Sequence, residues 1–305
     1  MGLQLALPLV DQAPRPAAAP FVKWAGGKSR LLSQLLPLLP EGVANRRYLE
    51  PFVGGGALFF AQQPAFAVLS DANAHLCTTY GAVRDDVEGV IERLRELAAN
   101  HSTERYYALR TRYNRDALGL RDRAALFIYL NKTCFNGLHR VNKRGEFNVP
   151  AGRYERPRIL DEQGLREASR QLRRAELRCA GFEAVLEHAQ CGDFIYFDPP
   201  FVPVSRTSSF TGYAAEGFSQ HDQLRLRDVF GELDRRGCAL LLSNSDALEV
   251  RELYQGYVID EVSTQRSISC GTRRTVKELV LRNYGGRVGI EPTAFSGGEQ
   301  LEVFA

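Results

Sequence analysis

Residues 194–201 read Phe-Ile-Tyr-Phe-Asp-Pro-Pro-Phe. The run Phe194–Phe197 has the length and aromatic content of a buried strand, and a double proline forbids that strand from continuing. The chain must therefore present Asp198 at a strand's carboxyl end, on a stiff Pro199-Pro200 corner with the Phe201 ring beside it. Carboxyl ends of strands in open α/β sheets are where ligands bind. The arrangement suits a planar, amine-bearing substrate: Asp198 and the Pro199 carbonyl can each accept one hydrogen from an exocyclic NH2, while Phe201 stacks on the ring. A strand followed by Asp-Pro is also a common turn, so the octapeptide has to be read with the rest of the chain.

Upstream, Gly26-Gly27-Lys28 opens a segment, Ser29–Leu39, whose leucines at 31, 32, 35, 36 and 39 recur with helical period, and Ser29 stands where an N-cap would fall. A strand at Tyr48–Phe52 runs into Gly54-Gly55-Gly56 and a helix start at Ala57–Ala61. A second strand, Phe66–Leu69, ends at Ser70-Asp71-Ala72-Asn73. Strand, glycine turn, helix, strand and acid make a βαβ unit. Glycines there let the backbone approach a nucleotide-like cofactor closely, although a tight turn needs no ligand. Asp71 can accept hydrogens from both hydroxyls of a ribose. Phosphate binding fits less well, because Gly26-Gly27-Lys28-Ser29 has only the tail of a P-loop and lacks its upstream glycine.

Periodicity predicts helices at 86–99, Ala124–Leu130, 161–175 and 221–236, the last ended by Gly237. Strands are expected at Leu177–Gly181, Asp193–Phe197 and Cys238–Leu242. A final hairpin is expected from Tyr257–Thr264 and Glu278–Tyr284 across a Ser, Gly and Arg-rich loop at 265–276. Residues 133–158 read as loops or a β-ribbon. The predicted organisation is a disordered leader (1–20), a catalytic core (21–80 and 176–284), a mostly helical recognition insert (81–175) and a loose tail (285–305).

Net charge is only +3, but residues 132–158 carry seven Lys or Arg against two Glu, so the rest of the chain sums to −2. A basic segment with Asn, Phe and Tyr among its charges is the footprint of a nucleic-acid surface, or else a solvated face. The six cysteines are widely spaced, without Cys-x-x-Cys, which argues against zinc and a disulfide framework. Cys191 and Cys238 adjoin apolar runs and read as small core residues. No apolar stretch reaches the roughly 18 residues of a spanning helix, and the leader lacks the pattern of a secretion signal. A cytoplasmic protein is expected.

Phe21-Val22-Lys23-Trp24-Ala25-Gly26-Gly27-Lys28, the Glu50–Gly56 turn, Ser70-Asp71-Ala72-Asn73 and Asp198-Pro199-Pro200-Phe201 resemble the ordered motifs of the Dam family of DNA adenine-N6 methyltransferases. The block Tyr129–Leu138, then Arg140 and Gly145–Pro150, is similar to that family's recognition region. Ser243-Asn244 and Arg266-Ser267-Ile268-Ser269 match further on. The resemblance spans about residues 21–284. It implies a class I methyltransferase (Rossmann-like) α/β fold, with a mostly parallel seven-stranded sheet whose last strand is antiparallel. It also implies S-adenosyl-L-methionine as methyl donor, S-adenosyl-L-homocysteine as product, double-stranded DNA as substrate, no metal, and action as a monomer. By position, Trp24, Gly26, Lys28, Glu50, Phe52, Gly54, Gly56, Asp71, Phe182 and Asp198 would contact the cofactor. Asp198, Pro199, Pro200 and Phe201 would form the catalytic corner. Lys23, Phe135, Asn136, Leu138, Arg140, Asn148 and Pro150 would contact DNA.

The implied chemistry fits the residue types. Adenine N6 is a poor nucleophile because its lone pair is delocalised into the ring. Acceptors at Asp198 and the Pro199 carbonyl, roughly 3 Å from N6, would favour a pyramidal nitrogen aimed at a sulfonium methyl. The base must leave the duplex to be reached. Phe201 stands where the family usually has Tyr, which keeps stacking and loses a hydroxyl. The Arg140 fork matches guanine O6 and N7, Leu138 and Pro150 suit a thymine methyl, Phe135 and Asn136 could fill the gap left by the base, and Lys23 would reach an outer guanine. These expectations favour GATC, as a solitary enzyme, a phage enzyme or half of a restriction–modification pair. Methylation of another short site or of cytosine N4, and a non-catalytic DNA-binding relative, remain the alternatives.

Overall fold

The computed structural model describes residues 18–202, 218–269 and 272–286, with only the backbone path for 264–274. Residues 1–17 and 287–305, and so nearly all of the expected leader and tail, lie outside the described residues. Among those described, the strands are β1 (Tyr48–Glu50), β2 (Ala67–Asp71), β3 (Ala175–Cys179), β4 (Phe194–Phe197), β5 (Ala239–Ser245), β6 (Val258–Ser269) and β7 (Thr272–Arg282). They form a seven-stranded sheet in the order β3-β2-β1-β4-β5-β7-β6. β2 pairs β3, and β4 pairs β1 and β5, in parallel, while β7 is antiparallel to both β5 and β6. This is the mostly parallel sheet with a reversed last strand that the resemblance implies. β4 and β5 are buried along their whole lengths, as strands covered on both faces must be.

The helices are α1 (Leu32–Leu35), α2 (Ala57–Gln62), α3 (Ala74–Asp85), α4 (Val87–Ala99), α5 (Thr103–Arg115), α6 (Leu120–Thr133), α7 (Glu162–Leu172), α8 (Gln220–Arg235) and α9 (Leu248–Leu253). The chain divides into two compact units, Met1–Leu36 with Glu50–Ala184, and Pro37–Leu49 with Val185–Ala305. In the first, α6 is the central helix and packs against α3, α4 and α5. Every residue from Ala124 to Asn131 is buried, as expected of a helix that is apolar all round. In the second, Phe230 of α8 packs edge-on against Tyr254 and Tyr257, with centroids 5.3 and 4.9 Å away.

Three expectations need correction. The Ser29–Leu39 helix is broken into 3-10 turns at Lys28–Arg30 and Leu36–Leu38 around the four-residue α1, and the N-cap position is Gly27, which makes no side-chain cap. Pro37 explains the break, since it has no N–H to donate and its ring crowds the preceding turn. Much of the expected 265–276 loop is strand: the β6–β7 ladder runs out to Ser269↔Thr272. Cys191 is exposed, whereas Cys238 is buried.

Candidate functional site

Asp71 is the last residue of β2, and both of its carboxylate oxygens are engaged. Oδ2 accepts from the Gly54 N–H at 3.0 Å and Oδ1 from the Asn73 N–H at 2.9 Å. Burial pushes the Asp71 carboxyl upward, and the Asn73 and Gly54 donors pull it back only in part. Each oxygen has a second lone pair, so the partly exposed carboxylate can still accept from hydroxyls.

The turn that carries Gly54 is fixed from several sides. Val53 donates to the Ser70 carbonyl at 3.0 Å and the buried Tyr80 hydroxyl donates to the Gly54 carbonyl at 3.0 Å. Gly54 has φ +47°, and a Cβ added there would lie 2.7 Å from Trp24 Cδ1. Its glycine is therefore required for the indole to pack. Gly56 is left-handed as well, at φ +68°, with Phe60 and Tyr80 against it. Lys28 is buried and donates from Nζ to the Gly26 carbonyl at 2.7 Å. Glu50 is buried too. The half-exposed Phe52 stacks on the buried Phe182, with centroids 5.4 Å and planes 21° apart.

The residues expected to contact DNA belong to the same unit. After α6 the chain makes a narrow ribbon, bridged at Cys134↔Ala151 and Val141↔Phe147. Its return limb is held by α5: Asn114 exchanges two 2.9 Å bonds with the Phe147 backbone, and Tyr106 and Arg110 donate to the Val149 carbonyl. Asn148 occupies Arg140, accepting from Nε at 2.7 Å and from Nη2 at 3.3 Å. Three guanidinium N–H groups remain, two of them on the end-on edge that a bidentate base contact uses. Phe135, Asn136, Arg140 and Pro150 are exposed, and Leu138 and Asn148 partly so. Asn136 is left-handed at φ 53°. Lys23 is exposed, with Nζ 4.4 Å from the Tyr154 ring centroid and bonded to its hydroxyl and to the Lys132 carbonyl.

The second unit carries the Asp-Pro-Pro-Phe corner. Asp198 and Phe201 are partly exposed, Pro199 is buried and Pro200 exposed. Three buried polar side chains pin the backbone here. Gln223 of α8 donates to the Pro200 carbonyl at 3.1 Å, Asn244 of β5 accepts from the Val202 N–H at 3.2 Å, and Ser245 donates to the Val202 carbonyl at 2.6 Å. Asn244 and Gln223 also bond each other at 3.4 Å.

Sequence reasoning found Ser243-Asn244 and Asn73 without a role and missed Gln223, Tyr80 and His139. Gln223 had no local signal. His139, between Leu138 and Arg140, was inside a recognised block and stacks on Trp24 at 5.6 Å. Among the described residues no cluster of three or more His, Cys, Asp or Glu side chains could hold a metal ion, and no helix is long and apolar enough to cross a membrane.

Comparison with known proteins places these features in a family. Residues 24–268 match the D12 class of N6 adenine-specific DNA methyltransferases. The type II methyltransferase M.MjaIII of Methanocaldococcus jannaschii is 42% identical over 285 residues, covering 87% of this chain and 99% of that one. A type II methyltransferase of Lactococcus lactis subsp. cremoris is 41% identical over 273 residues, covering 87% and 95%. The DNA adenine methylase of Escherichia coli is 36% identical over 264 residues, covering 85% and 93%. The chain belongs to the D12 class of N6 adenine-specific DNA methyltransferases, and it is an adenine-specific DNA methyltransferase.

Proposed function

We propose that the protein transfers a methyl group from S-adenosyl-L-methionine to N6 of an adenine flipped out of duplex DNA, within a short site that is GATC. The observation that carries this reading is the pinned corner at Asp198–Phe201: a half-exposed carboxylate and a proline carbonyl on backbone held by Gln223, Asn244 and Ser245.

The residues of the first unit fit the methyl donor. Asp71 keeps lone pairs for ribose hydroxyls, and the Phe52–Phe182 pair offers an aromatic face suited to adenine. When bound, that group supplies an electrophilic sulfonium methyl. The chain's own contribution is orientation. Asp198 and the Pro199 carbonyl would hold the two N6 hydrogens and leave the lone pair directed for in-line displacement, which asks for geometry more than acid–base work. Phe201 would stack on the extruded base. On the ribbon, the Asn148-anchored Arg140 would read guanine, Leu138 and Pro150 would meet a thymine methyl, and Lys23 would leave Tyr154 for an outer guanine.

Incubating the protein with unmethylated duplex DNA and labelled cofactor should yield N6-methyladenine in the digested nucleosides. The DNA should then resist nucleases blocked by GATC methylation and yield to those that require it. Asp198→Ala should lower the rate by at least about 10²–10³-fold, the usual loss when one preorganised contact to the reacting group is removed. Label in cytosine instead, or equal turnover by Asp198→Ala, would defeat the reading.

A further inference from the structure

Trp24, Asp71 and Arg140 come from distant stretches of sequence, and one side chain joins their surroundings. His139 lies beside Arg140 in the ribbon, and its ring stacks on the Trp24 indole with planes 21° apart. Its Nδ1 is 3.2 Å from Asn73 Nδ2. The tautomer follows from the neighbours. Asn73 Oδ1 accepts from the Leu76 N–H at 3.1 Å and caps α3, so Nδ2 is the end turned to the histidine. Nδ1 must then be the acceptor, with the ring proton on Nε2, which is buried without a partner. Burial, and then neighbouring His75, keep the ring neutral, with its pKa pushed down to about 4.

The contacts close a circuit. Asn73 and Gly54 donate to opposite oxygens of Asp71; Trp24 packs on Gly54; His139 stacks on Trp24 and accepts from Asn73. His75 adds a second tie. It sits in the first turn of α3, its Nδ1 shares a hydrogen bond with the Tyr113 hydroxyl of α5, and its ring is 5.3 Å from that of His139. A ribbon that shifts to engage DNA must carry the His139 ring with it. Doing so either drags Asn73 or breaks the hydrogen bond from its amide.

We propose that His139 is a positioning residue that couples the Asp71 turn to the DNA-reading ribbon, so that a cofactor held at the turn and duplex DNA on the ribbon bind more tightly together than apart. The inference rests on reading the turn as the cofactor site and the ribbon as the DNA reader. Coupling of this kind is reciprocal and is measured as a ratio of affinities.

The test is the Kd for S-adenosyl-L-homocysteine without and with saturating chromosomal duplex DNA from a host lacking adenine methylation, which contains every short site. The wild type should tighten by at least about fivefold. His139→Phe keeps a flat ring on Trp24 and removes the acceptor, and its ratio should fall below about twofold. His139→Asn places an acceptor oxygen near the Nδ1 position and should recover most of the ratio. Asn73→Ala cuts the same bond from the other side and serves if His139→Phe does not fold. An undiminished ratio in the variants, or none in a wild type that binds both ligands, overturns the coupling and leaves the function standing. A wild type that binds neither ligand overturns both.

Discussion

Asn131 shows how much one side chain can determine. It is fully buried in α6; its Oδ1 accepts from the Lys23 N–H at 2.7 Å, and its Nδ2 donates to the Lys23 carbonyl at 2.8 Å and the Gly137 carbonyl at 3.2 Å. The amide thus acts as a strand partner for Lys23 and fixes the approach to Trp24. Asn131→Ala would orphan one N–H and two carbonyls at about 1–3 kcal/mol for each group left unsatisfied, and urea unfolding should show a loss of at least about 3 kcal/mol. Asn131→Asp should be no better, because it keeps the acceptor and turns an anion toward two carbonyls. The same region shows what the sequence could convey. The glycines of the turn announced a close approach, but not that Trp24 makes it at Gly54, nor that Lys23 fills the space beside Gly137, where a Cβ would sit 2.3 Å from Lys23 Cδ. Spacing along a chain carries no information about which distant side chain arrives.

At the scale of elements, legibility followed how purely apolar the buried face is. α4 buries Val87, Val90, Ile91, Leu94 and Leu97 and was predicted within a residue, as was β4, while the apolar centre of α6 was plain at Ala124–Leu130 but its polar ends, out to Leu120 and Thr133, were not. α3 and α5 were not foreseen, because their buried faces mix in polar atoms: Thr79 and Tyr80 in α3, Tyr106 and Tyr113 in α5. The tyrosine hydroxyls are satisfied by partners far along the chain, Tyr80 on Gly54 and Tyr106 on Val149. α3 also depends on its cap. Asn73→Ala removes the side-chain acceptor for Leu76 and the donor to His139, and should cost about 1–2 kcal/mol in thermal or urea unfolding. Asn73→Asp keeps the cap oxygen, places a charge favourable to the helix N-terminus, and should recover the cap but not the donor.

At the scale of the whole molecule, charge and titration are distributed unevenly. A net +3 gives little general attraction to DNA, so an electrostatic pull would have to come from a local patch such as the +5 of residues 132–158. The histidines set the response to acid. His139 has its pKa pushed from 6.5 to about 4 by burial and by His75; His75 is lowered by burial and by Arg123, and His101 by burial. In each case the unfolded chain takes up a proton at a higher pH than the folded one. The stability held by a neutral ring is complete above about pH 6.5 and drains as pH falls toward the folded value. Asp71 acts in the opposite sense: its raised folded pKa penalises the native state at neutral pH, and the penalty is relieved as pH falls through that value. Asp193, raised by burial, acts as Asp71 does, while carboxylates held low by hydrogen-bonding partners, such as Asp85, Asp222 and Glu232, add to the histidines' loss on acidification. From about pH 7.5 to about pH 5, His139 alone should account for on the order of 2 kcal/mol. Urea midpoints should therefore fall across that interval at unchanged m-value. His139→Phe cannot take up the proton and should fall less, by an amount that matches the missing ring. A midpoint that does not move with pH in the wild type, or moves equally in the variant, would show that His139 titrates as it does in water.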